Sequence, residues 1–99
     1  MQPFQLLLGE TYYQKGFFNV SVAFESYVRS ENGSIRIYMG NTDDYVDGRV
    51  DRTANQNGTP RIFGGKELYS WFQANFKVGD TVIVKFLSPD VILILPNSA

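Results

Sequence analysis

The chain contains neither cysteine nor histidine. The first absence excludes a disulfide framework and any thiolate metal centre. The second removes the imidazole base and every zinc site built on imidazole. A dominant charge is also missing: nine Lys and Arg stand against ten Asp and Glu, net −1, so bulk charge selects no class of partner. Long apolar runs are absent too. The longest, Val91 to Leu95, falls far short of the roughly 20 residues that a membrane helix needs. The opening MQPFQLLLGE has no basic stretch of the kind that begins a secretory leader. Together these absences lead to the expectation of a soluble, cytoplasmic domain with no membrane partner.

What is present argues for a folded core. Apolar residues make up 43% of the chain and aromatics 15%, more than a disordered chain carries. At 99 residues, without repeat, linker or low-complexity tract, residues 1–99 are expected to form one domain. The one strong helical signal lies at Lys66–Phe76. There Leu68, Trp71, Phe72 and Phe76 fall on one stripe of a 3.6-residue period, so all are expected in the core. Val78-Gly79-Asp80 then turns the chain, and the period changes to two, with Val82, Val84 and Phe86 on one face. Similar alternation marks strands at Phe17–Val22, Ile35–Met39 and Tyr45–Thr53, while the compact apolar Phe4–Leu8 and the returning Arg61–Phe63 also read as strands. Val91–Leu95 is apolar on both faces, as a central, covered strand would be. Gly9–Gly16 reads as a polar loop, and Ala23–Arg29 as either strand or one helical turn. About seven short strands with one clear helix point to a small barrel or sandwich.

Catalytic signals are weak. Asp43, Asp44 and Asp47 lie in TDDYVDG, which only loosely matches a calcium loop and lacks its twelfth-position glutamate, so a solvated acidic loop is expected. Asp80 and Lys85 do not compose a nuclease carboxylate cluster, and the Ser and Thr hydroxyls lack a base. The domain alone is therefore not expected to be an enzyme, and neither cofactor nor metal is expected. Charge is distributed unevenly, however. Arg52 to Lys66 contains Arg52, Arg61 and Lys66 and no acid; Thr11 to Phe24 contains Lys15 and no acid. The same windows hold Thr11, Tyr12, Tyr13 and Gln14 in one, and Thr53, Asn55, Gln56, Asn57 and Thr59 in the other. Arginine suits guanine edges, asparagine and glutamine suit adenine, and hydroxyls and lysines suit phosphates. The plainer reading is that any hairpin tip is polar and carries an Asn-Gly turn.

GGKELYSWFQANFKVGDTVIVKF resembles the helix-then-strand segment of the B3-like DNA-binding pseudobarrel family. LLLGETYYQKGFFNVS is similar in layout to the first strand, N-terminal arm and second strand of that family, and GRVDRTANQNGTPRIFGG to its C-terminal arm. The closer likeness is to the bacterial restriction-endonuclease branch, specificity domains of the BfiI and EcoRII type. The resemblance implies a mostly β, seven-stranded open pseudobarrel with one or two short helices at its ends. It also implies sequence-specific binding of double-stranded DNA through two arms in the major groove, with any nuclease in another domain or subunit. On this chain the first arm would be Tyr13, Gln14 and Lys15. The second would be Arg52, Thr53, Asn55, Gln56, Asn57, Thr59 and Arg61, with Arg49 and Lys66 flanking it on phosphates. The pI near 5.2 is low for a DNA binder, which requires the Asp43–Asp47 loop to face away from the duplex. The alternative is a barrel that binds protein or carbohydrate on an exposed aromatic platform of Tyr12, Tyr13 and Phe17.

Overall fold

The structure, a computed structural model, describes residues 3–97. Seven strands form one mixed sheet curled into a half-barrel. They are β1 (Phe4–Leu7), β2 (Phe17–Asn19), β3 (Gly33–Met39), β4 (Tyr45–Asp51), β5 (Arg61–Phe63), β6 (Thr81–Ser88) and β7 (Val91–Pro96). The order across the sheet is β1-β6-β7-β3-β4-β5-β2, so β1 and β2 are the two edges and face the open seam. Every neighbouring pair is antiparallel except β3 with β7. Alternate side chains point inward as period-two patterning requires: Phe4 and Leu6, Phe18, Ile35 and Ile37, Val50, Ile62, Val82 and Val84, Ile92 and Ile94 are all buried.

Helix α2 (Gly65–Asn75) plugs the barrel with Leu68 and Phe72, both fully buried. Trp71, expected beside them in the core, is only half-buried. It lies at the edge of the apolar stripe and stacks edge-on against Phe76, 5.0 Å between ring centroids. Gly64 precedes the helix because a Cβ there would come within 2.3 Å of the Leu68 Cβ. β7 is third from one edge, as its apolar sequence implied, but its outward row of Val91, Leu93 and Leu95 is half-buried rather than covered.

Two local expectations give way. Gly9–Gly16 is not a loop but carries helix α1 (Glu10–Lys15). Gly9 caps it, Glu10 and Lys15 sit at the ends that suit their charges, and Gly16 ends it in the left-handed region at φ 69. The Gly16 amide donates to Tyr12 O, and the Gly16 carbonyl accepts from Gly64 N at 3.0 Å, which ties the end of α1 to the start of α2. The second strand stops at Asn19 instead of Val22, because residues Val22–Tyr27 coil into a 3₁₀ helix. No helix among the described residues is long and apolar enough to cross a membrane.

Candidate nucleic-acid interface

The loop from residue 52 to residue 60 joins β4 to β5, and β5 lies between β4 and β2. Strand register then sets out the outward face. Phe17, Phe63 and Arg49 share one row, and Asn19, Arg61 and Asp51 the next. Helix α1 joins β2 at the Phe17 end, and the loop leaves β5 at the Arg61 end. This small face therefore connects the two expected arms.

The polar loop residues are largely bonded to one another. Asp51 Oδ1 accepts from the Thr53 hydroxyl (2.6 Å) and amide (2.7 Å). Those two bonds hold the Asp51 carboxyl below its ordinary value, the hydroxyl contributing most. Asn57 Oδ1 accepts from the Thr59 hydroxyl (2.7 Å) and amide (3.2 Å), an Asx turn; Thr59 is buried. The left-handed residue of the tip is Gly58, φ 76, not Asn57. Gln56 is exposed at the rim of a recess lined also by Asn19, Asn55, Asn57 and Thr59. A second recess, at the open seam, runs from Tyr12 past Asn19 to Asn57 and Thr59.

The arginines divide sharply. Arg52, expected at a base edge, is turned into the fold. Its Nε donates to Arg29 O (3.0 Å), Nη1 to Gly58 O (3.3 Å), and Nη2 to Glu25 O (2.7 Å) and Val28 O (2.8 Å). A looser ion pair to Glu25 lies at 3.9 Å. With these bonds the guanidinium is spent on internal carbonyls, and it pins the loop to the 3₁₀ segment. Arg61 is held differently. Its Nε donates to Asn19 Oδ1 (3.0 Å) and its Nη2 to Asn55 Oδ1 (3.2 Å), while the guanidinium lies over Phe17, 4.6 Å from the ring centroid. Asn55 Nδ2 closes the triangle on Asn19 Oδ1 (3.0 Å) and also reaches Thr59 O. Arg49 lies over Phe63 at 5.0 Å, its side chain 59% exposed, with only a 4.0 Å contact to Asp51. Phe17 and Phe63 pack together at 5.6 Å, so the two guanidinium groups flank an aromatic pair.

Of the first arm, Lys15 is exposed, Gln14 makes a long bond to Glu10 (3.4 Å), and Tyr13 offers its main-chain carbonyl to Gln73 Nε2. Lys66 lines a recess with Met39, Glu67, Ser70 and Trp71. Tyr12, Tyr13 and Phe17 do not form the exposed platform that the alternative reading required. All three are half-buried; Tyr12 and Tyr13 pack on the core, and Phe17 is covered by Tyr12, Phe63 and Arg61. Asp43, Asp44 and Asp47 are exposed, and among the described residues no cluster of acids is arranged to hold a metal ion.

Asn19 was absent from the residues expected at the site. Its outward place in the Phe17–Ser21 alternation was visible, but its partners lie 36 and 42 residues away, which only strand pairing discloses.

No family model matches the chain, and no curated protein matches it. Among solved structures, the N-terminal domain of Helicobacter pylori LlaJI.R1 is similar in fold, with TM-score 0.56 and 10% identity. The match covers 99% of this chain and 90% of that one. At that identity the likeness speaks to the fold alone.

Proposed function

We propose that this chain is a sequence-specific double-stranded DNA-binding domain, the target-recognition part of a bacterial restriction system. The observation that carries the reading is the outward face of β4, β5 and β2. It presents two guanidinium groups, each over an aromatic ring, between an acid-free loop and a short helix ending in Lys15. A planar guanidinium suits both base edges and phosphates. The B3-like resemblance of the helix-and-strand segment supports this reading, and the fold shared with the N-terminal domain of LlaJI.R1 is compatible with it. In this reading Lys15, Arg49 and Lys66 take phosphates, and Tyr13, Gln14 and Gln56 line the entry of the major groove. Arg61 meets a base edge, with Asn55 holding it through the bond to Nη2. Arg52, Thr53, Asn57 and Thr59 hold the second arm in shape. A nuclease domain or subunit would be the partner that cuts.

Titration of a labelled duplex at several salt concentrations tests the proposal. Binding should weaken linearly on a log–log plot, and Lys15→Ala or Arg49→Ala should lower the slope by about one on every sequence. A salt-independent signal, or slopes unchanged in both variants, would count against the assignment. A second expected result concerns catalysis: duplex incubated with the purified domain and magnesium should remain whole, since the described residues offer no metal cluster. Cleavage that persists through repurification would contradict it.

A further inference from the structure

We propose that Asn19 is a positioning residue that makes Arg61 a reader of guanine; this rests on the duplex-binding reading above. Two bonds occupy one edge of the Arg61 guanidinium, Nε to Asn19 and Nη2 to Asn55. Among the described residues, Nη1 and the remaining Nη2 hydrogen have no hydrogen-bond partner, so the terminal edge is an open fork of parallel donors. The Phe17 ring lies against the same guanidinium, 4.6 Å from Cζ to the ring centroid, and limits how far the fork can swing. Guanine displays O6 and N7 as two acceptors in one plane, and a planar fork held in advance loses little freedom on meeting them. A phosphate contact needs no such fixed plane, and the more exposed Arg49 on the same face suits it better.

Asn19 is the hub of this arrangement because one carbonyl oxygen accepts from both Arg61 and Asn55. It lies on β2, whereas Asn55 and Arg61 belong to the loop and to β5. Asn19 thus ties the orientation of the fork to the rigid sheet rather than to the loop.

The experiment is selection from a pool of randomised duplexes, repeated with variants of the whole chain whose melting curves are recorded alongside. The wild type should enrich a motif containing a G·C pair. Arg61→Ala should lose roughly 5- to 150-fold on that motif, with the preference erased at one base pair only. Arg61→Lys, which keeps the charge but not the fork, should lose the same preference with the salt slope intact. Asn19→Ala should lose preference at that same pair to a smaller degree, and Asn19→Asp, which keeps the acceptor oxygen, should restore it even where its added charge weakens binding to all duplexes. A uniform loss on all sequences in Arg61→Ala, with a salt slope lower by about one, would make Arg61 a phosphate contact and overturn the inference. So would an Asn19→Ala variant that melts lower but keeps every base preference. Either outcome would leave duplex binding itself standing. A wild type that enriches nothing would overturn both readings.

Discussion

Replacing Phe72 with alanine is expected to cost about 3–5 kcal/mol of folding stability, the usual range when a large buried ring is emptied. Phe72 is fully buried where α2 plugs the half-barrel, and it packs edge-on to Phe76 with centroids 6.1 Å apart. Sheet and helix close on it from both sides, so neighbours cannot collapse into the space without moving α2. For a domain of about 100 residues this loss corresponds to a melting temperature lower by more than about 10 °C. Trp71→Ala, on the same helix, should cost clearly less, about 1–2 kcal/mol, because the indole packs at the rim of the core and is only partly buried. Thermal denaturation of the two variants side by side checks the docking of the helix. If Trp71→Ala proved the more damaging, α2 would be rotated from the orientation described.

Arg52→Ala should destabilise the fold by about 2–3 kcal/mol, since it removes four part-buried charge-assisted bonds to main-chain carbonyls at once. The side chain is 19% exposed and bonds to Glu25, Val28 and Arg29 in one stretch of chain and to Gly58 in another. The 3.9 Å pair to Glu25 adds little at such a distance. Lysine should not rescue it, because one ammonium cannot reach carbonyls that a five-donor fork spans. On DNA, the loosened loop should blur preference at several base pairs together, unlike the single position expected for Arg61. Urea denaturation, with selection on random duplexes, separates the cases. Wild-type stability with preference altered at one base pair would restore Arg52 to the role of a reader.

The difference between these two arginines shows where the sequence stops being legible. Both lie in the same acid-free window, and both are well matched to purine edges. What separates them is distance along the chain: the carbonyls that capture Arg52 begin 23 residues earlier, and the asparagine that orients Arg61 lies 42 residues away. No local pattern encodes either contact. By contrast, the strands from β3 to β6 and helix α2 were readable because burial on one face imposes a period, and β7 because a short run apolar on both faces reads as an inner strand. Helix α1 escaped that logic. It is six residues long and buries none of them, so no apolar stripe announces it. The signals that remain are the bracketing Gly9 and Gly16 and the charges at its two ends. Trp71 failed for a related reason: a stripe drawn through i, i+3 and i+4 spans enough of the helix circumference that its edge positions emerge at the surface.

The most direct test of the account is a map of amide and side-chain chemical shifts of the labelled chain as a short duplex is added. The account predicts the largest changes at Lys15, Asn19, Arg49, Asn55 and Arg61, with Leu87 and Leu93 on the outer face of β6 and β7 unaffected. Changes confined to that outer face, or none anywhere, would contradict it.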